Sequence, residues 1–442
     1  MRIILVYLLF FIGSDLSLFN PVWAACFYTW NNIFRPADFT HSDLGFSPAD
    51  FVIGCLALSF GIHLIIGNYK LRPNVGTFFI LAFLGWASVS TLFAPSGEIA
   101  LEGLITIFKY LIPLVFISMV FRNLKDIDHF CWSMALSVGV WSAQAGLHGI
   151  IKGGGVIDMG IPGAQMSDRN DFIVGVLIAL PLLVYMFVYY DGPFRKIIRI
   201  FLFLITFLSF VAVPISLSRG GMLGLVIMIF LITLLSRKRI RNMVILLALL
   251  PIIYFSLPDF VFERMSTIEV GGEQTESSAQ ARLGNMQAGI AMATDYPISG
   301  VGPLAFLKFI PSYSEEWLEP HSIWIKAAAE LGVVGLILYI VLIAFITWRL
   351  VLVYQTQFHK NRKLAHLALA FISAFLGFNV AASFSNKLYS EYQWTLIATA
   401  GAFAKKAGIG KGGKLMSKKG DTKHKPIPDS TGSAFNSDRN EA

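Results

Sequence analysis

Apolar runs of about twenty residues, each long enough to cross a bilayer as a helix, recur along this chain with only short connections between them. That pattern leaves few folds open. Inside a hydrocarbon core every backbone N–H and C=O has to be satisfied within the protein, so a crossing segment is either a helix or a strand of a closed barrel. The alternating pattern of barrel strands is absent, and the crossing segments are read as helices. Composition agrees, with 55% hydrophobic residues, 14% charged residues and a mean hydropathy of +0.66, far from a soluble domain. The fold class expected is an all-α polytopic membrane protein.

The spans fall at roughly 3–19, 48–66, 74–93, 103–121, 129–150, 171–190, 196–217, 220–235, 242–257, 332–354, 364–384 and 388–404, about twelve transmembrane helices with soft boundaries. Basic residues orient them. Lys70 and Arg72, Arg122 and Lys125, Arg195, Lys196 and Arg199, Arg237 to Arg241, and Lys360, Arg362 and Lys363 occupy alternate connections, which the positive-inside rule places in the cytoplasm. An even helix count puts both termini on that side too. The net charge of +8 is then topological bias plus a Lys-rich tail, and it points to no nucleic-acid partner. The organisation expected is a membrane domain over 1–404, with a large outward loop at 258–320 that contains short helices, and a disordered basic cytoplasmic tail at 405–442 touching anionic membrane lipid.

Asn20-Pro21 is read as breaking the first helix at the outer surface, leaving Val22 to Ser47 as an interfacial or re-entrant piece; Val22-Trp23-Ala24 offers a signal-peptidase site as the alternative. Cys26, Cys55 and Cys131 are an odd number on separate elements, without metal-ligand spacing. They read as small apolar packing residues.

Chemistry is sought on the outward face, in the loops 152–170 and 258–320. His321 follows Pro320 and starts a helix on which Ile325, Ala328, Gly332 and Gly335 form a stripe of small residues below the imidazole. Glu330 points away from it, four residues after Lys326, as a local pair. Arg219 sits in Ser216-Leu217-Ser218-Arg219-Gly220-Gly221, too short for a proper loop, which holds its guanidinium at the membrane boundary. Gly220 and Gly221 would leave backbone N–H groups open to an anion. Arg282 shares a helix face with Met286 and Gly289, and Arg169 lies between Asp168 and Asp171, where a solvated local ion pair competes with a binding role. Three arginines and a histidine on one face suit a phosphate-bearing substrate.

These residues resemble the O-antigen ligase superfamily, polytopic bacterial glycosyltransferases. Its pattern of His, then Asn, Ser or Gln, then nine residues, then Gly-x-x-Gly is met by His321, Ser322, Gly332 and Gly335. Within the superfamily the chain is most similar to the O-glycosylation ligases associated with exosortase A systems, through Asn20-Pro21, the run from Glu263 to Ile268, Ser218-Arg219-Gly220 and Ala281-Arg282. Met286 departs from the pattern, since a Trp commonly follows the loop arginine by four residues. The resemblance implies a GT-C-like enzyme of the bacterial inner membrane with a periplasmic site. Its reaction would be metal-independent and inverting, carrying a glycan from undecaprenyl diphosphate to a hydroxyl on a glycan, lipid or protein acceptor, with no cofactor. It implies His321 as the catalytic group acting on the acceptor hydroxyl, and Arg219, Arg282, Arg169, Ser322 and Gly220 as the residues binding diphosphate and substrate.

A metal-dependent route would want an outward carboxylate pair, and Asp126-Ile127-Asp128, the one Asp-x-Asp, lies in a basic connection as a helix-start signal. Two other readings stay open. A polysaccharide polymerase shares the topology and the Arg and His requirement. A solute or anion transporter would use the arginines as an anion path, although no inverted repeat is evident.

Overall fold

The computed structural model describes residues 2–40, 44–152, 166, 168–236, 239–241, 243, 273–315 and 317–408, with the side chains of 39 and 273–282 left out. Its helices are α1 (Arg2–Phe19), α2 (Pro21–Phe34), α3 (Pro48–Ile65), α4 (Val75–Leu92), α5 (Gly97–Val120), α6 (Leu124–Ile151), α7 (Arg169–Tyr189), α8 (Arg195–Ile215), α9 (Arg219–Leu235), α10 (Glu273–Asp295), α11 (Phe306–Phe309), α12 (Ile323–Gln357), α13 (Arg362–Ala382) and α14 (Glu391–Lys406). The protein is an all-α polytopic membrane protein. Among the described residues nine helices are long and apolar enough to cross a membrane, namely α1, α3 to α8, α12 and α13, while α9 is apolar but shorter. Every span read from the sequence coincides with a helix except 242–257, which lies outside the described residues, as do most of the tail and the first part of the large loop.

Side-chain caps fix where these helices begin, because N–H groups in a membrane cannot turn to water. Asn74 and Thr77 form a reciprocal capping box at α4, and Asn123 with Asp126 forms another at α6. Asp126 is therefore the helix-start residue expected of it. Its neighbour Asp128 accepts from the Tyr185 hydroxyl at 2.9 Å and pairs with Lys363 at 2.6 Å. Around α14, which is buried along nearly its whole length, the other helices pack closely enough that a Cβ at Gly76 would stand 2.7 Å from the carbonyl oxygen of Ile397. The buried Cys26 and Cys131 and the half-buried Cys55 are all free thiols.

The start of the chain differs from its reading. Residues 21–34 form a helix rather than a re-entrant piece, and Asn20 is its N-cap, accepting from Val22 N at 3.0 Å. Ala24 is fully buried in that helix. At the Asn20 turn the Tyr69 hydroxyl donates to Asn20 Oδ1 at 2.9 Å, and His63 Nε2 lies 3.2 Å from the Phe19 carbonyl. The turn thus sits beside Lys70 and Arg72, on the basic face. At the other end of α1 the Tyr7 hydroxyl donates to the Leu44 carbonyl at 2.8 Å, and Phe10 packs on Phe46 and Phe51 near the start of α3. At the end of α14, Lys405 and Lys406 donate to the carbonyls of Pro73 and Arg122 at 2.8 and 2.7 Å. The start of α1 and the end of α14 therefore lie on opposite faces, against the expectation of both termini on one side. The cause is physical: the Asn20 turn carries no Lys or Arg, so charge bias was silent there. Arg2→Cys and Lys70→Cys are expected to react with a membrane-impermeant thiol probe from opposite sides; labelling of both from one side would refute this arrangement.

Candidate functional site

On the face opposite the basic connections three helices begin side by side. Asp168 caps α7 by accepting from Asn170 N at 2.8 Å, which sets Arg169 at the first helical position. Ser218 caps α9 by accepting from Gly221 N at 3.3 Å and sets Arg219 likewise. Ser322 precedes α12, with its own N–H turned onto the Pro320 carbonyl at 2.6 Å. Each start presents unsatisfied N–H groups and the positive end of a helix dipole. The turn between α8 and α9 is as tight as its sequence implies, with Leu217 held at φ 55°.

The glycines after Arg219 make the close packing. A Cβ at Gly220 would stand 3.0 Å from the Ala381 carbonyl oxygen of α13, and one at Gly221 would stand 2.3 Å from Ile173 of α7. Arg219 itself is exposed and makes no hydrogen bond or ion pair with a described side chain or backbone group.

The connection from α13 to α14 ties these starts together. Trp324 of α12 donates to Ser383 Oγ at 2.8 Å, Ser385 donates to Asp171 of α7 at 2.7 Å, and Lys387 pairs with the same Asp171 at 2.7 Å. Asn386 donates to Glu319, two residues before His321. His321 is half-buried in this turn and Ser322 is buried. Asp171 thus bonds to the α13–α14 connection.

Beneath His321 lies a buried charged cluster. Lys326 pairs with Glu319 at 2.5 Å and stands 3.9 Å from Glu330. The expected Lys326–Glu330 pair is present as the longer of two contacts, because the Pro320 turn folds Glu319 back over the helix start. Glu330 is fully buried and accepts from the Tyr389 hydroxyl at 2.7 Å, Leu304 N at 3.2 Å and Phe306 N at 3.3 Å. Buried carboxylates persist only when paired and hydrogen-bonded in this way. The cluster fastens the end of the large loop to α12 and to the α13–α14 connection.

The Gly-x-x-Gly half of the motif departs from its reading as a helical stripe. Gly332 has φ 69° and ψ −178°, so α12 breaks there. The break frees successive carbonyls, and tertiary donors take them: Val301 N bonds to Ala329 O at 2.9 Å, Gly302 N to Glu330 O at 2.9 Å, and Trp86 Nε1 to Leu331 O at 2.8 Å. Val333 N turns out to Pro297 O at 2.8 Å. A Cβ at Gly332 would meet the Ile298 carbonyl oxygen at 2.0 Å, and one at Gly335 would stand 3.2 Å from Trp86. Both glycines admit neighbours, and those neighbours are the returning loop and α4.

Arg282 lies on α10, two turns before Gly289, whose missing side chain lets Ile325 of α12 approach within 2.4 Å of the Cβ position. Its backbone is therefore on the helix face turned to α12; its side chain lies outside the described residues. Sequence reading missed Glu319, Lys387 and Asn386. Lys387, an outward lysine in an otherwise apolar stretch, was the available signal for that connection.

Comparison with known families divides the chain at this site. A family described as O-antigen ligase matches residues 204–340, the stretch holding Arg219, Arg282, His321, Ser322, Gly332 and Gly335. A family of unknown function matches residues 1–189, which include Arg169 and Asp171. No curated protein matches the chain. In this multi-pass helical bundle residues 204–340 form an O-antigen ligase domain that supplies both the histidine turn and Arg219, and that domain supports a glycan-transferring role in polysaccharide or glycoconjugate assembly.

Proposed function

We propose that the chain transfers a glycan from undecaprenyl diphosphate to an acceptor hydroxyl on the face opposite its basic connections, the periplasmic face of a bacterial inner membrane. One observation carries this reading: the starts of α7, α9 and α12, bearing Arg169, Arg219 and the His321-Ser322 turn, are fastened side by side by the 383–390 connection.

The acceptor oxygen attacks the anomeric carbon from the side away from the diphosphate, and a glycosidic C–O bond forms as the bond to the diphosphate oxygen breaks. The configuration inverts, and the electron pair leaves with undecaprenyl diphosphate. His321 takes the acceptor proton. Arg219, Arg282 and Arg169 meet the charge that grows on the leaving oxygen, helped by the positive end of the α9 dipole at Gly220. Ser322 offers its hydroxyl to a sugar. Diphosphate leaves readily once its charge is met, so no metal is required by this chemistry. The polyprenyl chain lies along apolar helix faces, and the similarity to exosortase-associated O-glycosylation ligases makes a protein or exopolysaccharide acceptor the first to test.

The test is reconstitution in liposomes with an undecaprenyl-diphosphate glycan and candidate acceptors, in EDTA. Arg219→Lys keeps the charge but loses the planar fork, and is expected to lower the transfer rate by roughly tenfold or more. Full activity of that variant would remove the forked contact. Solute flux without transfer would replace the reading with a transporter, and donor-to-donor extension would replace it with a polymerase.

A further inference from the structure

A cavity of about 960 Å³ opens on the basic face, at the far side of the bundle from the proposed transfer site, between the ends of α7, α9 and α12 and the start of α13. Its rim carries Arg241, His359, Arg362 and His366, and among the described residues lining it none is acidic. Lys363, next to Arg362, is already committed to Asp128 at 2.6 Å, and His366 Nδ1 lies 2.7 Å from the Tyr189 hydroxyl. Arg362 occupies the first position of α13, where the helix dipole adds to its charge. Deeper in, the walls turn apolar, with Pro181, Val184, Ile232 and Leu369.

The cavity follows α7 from Tyr189 inward to Pro181, eight residues, which is about 12 Å of helix. That is close to the hydrocarbon depth of one leaflet, about 15 Å. A cationic rim at headgroup level over an apolar slot of leaflet depth is shaped for an amphiphile with an anionic head. A free inorganic anion would leave the apolar depth unfilled, and a zwitterionic lipid would place its own cation among two arginines.

We infer that this cavity is a binding site for one anionic phospholipid of the cytoplasmic leaflet, its phosphate on Arg241 and Arg362 and an acyl chain between α7 and α13. The site is separate from the transfer chemistry and stands whether or not the proposed reaction is correct.

The experiment uses the full chain in nanodiscs of mixed phosphatidylglycerol and phosphatidylcholine, read by native mass spectrometry after detergent release, with a photoactivatable phosphatidylglycerol to map the contact. One phosphatidylglycerol is expected to stay bound per chain and to label peptides from the end of α7 and the start of α13. Arg241→Gln with Arg362→Gln is expected to weaken retention about thirtyfold, the combined effect of two headgroup-level cations. Val184→Trp, which leaves both arginines and narrows the apolar slot, is expected to weaken it as well, with an unchanged melting temperature showing that the bundle is intact. Equal retention of phosphatidylcholine, displacement by millimolar inorganic phosphate, labelling elsewhere, or a contact mapped instead to residues 244–257 of the chain would each overturn the assignment.

Discussion

Alanine at position 332 is expected to undock the end of the large loop and to lower glycan transfer by two orders of magnitude or more while the helical bundle stays folded. Two costs add at this position. The backbone sits at φ 69° and ψ −178°, a region essentially reserved for glycine, where an L side chain costs about 1–3 kcal/mol. The new methyl would also fall 2.0 Å from the Ile298 carbonyl oxygen, a backbone atom that moves only if the loop moves. Moving it breaks the bonds from Val301 and Gly302 to the carbonyls of Ala329 and Glu330, and that from Val333 to Pro297, each contributing about 1 kcal/mol net. Gly45→Ala separates the two costs, since Gly45 also has a φ of 69° and, among the described residues, nothing within 4 Å of its Cβ position. It is expected to cost only the strain of a positive φ and to leave transfer unchanged. Hydrogen exchange at Val301, Gly302 and Val333 reads the undocking, and unaltered protection in Gly332→Ala would show that the loop tolerates the methyl.

The contrast between these glycines shows why part of the site was legible and part was not. The spans could be read because a bilayer leaves one solution for a long apolar run, and Arg219 could be placed because a three-residue turn admits one position for its guanidinium. His321 at a helix start after Pro320 followed from local rules. Gly332 did not, because helical periodicity treats it as one more position on a face, whereas the chain uses it to break the face and receive a loop from thirty residues earlier. Glu319 and Lys387 escaped for the same reason. Their partners, Lys326 and Asp171, are seven residues away across a turn and on another helix entirely, and no spacing rule reports such contacts. Lys326→Met shows the distinction in kind: it would strand the half-buried Glu319 and the buried Glu330 without their cation, a fault of folding rather than of chemistry.

His321→Ala is expected to behave in the opposite way, keeping the fold and losing the reaction. The imidazole is half-buried at a turn held by the Pro320 carbonyl bond, the Trp324–Ser383 bond and the Lys326 cluster, bonds that run through groups other than its ring. Loss of a positioned general base lowers a rate by about 10²–10⁴-fold. The fall should appear in kcat, with the KM for the lipid-linked donor little changed, because the donor is gripped through its diphosphate by the arginines and the acceptor proton is moved only at the transition state. Added imidazole should restore part of the rate in His321→Ala and none in Arg219→Lys, since a diffusible base replaces a missing proton acceptor but not a missing forked cation. A variant in which transfer is undiminished would remove His321 from the chemistry. One in which KM rises and kcat holds would make it a donor-binding residue instead, and would move the search for the base to the carboxylates of the cluster beneath it.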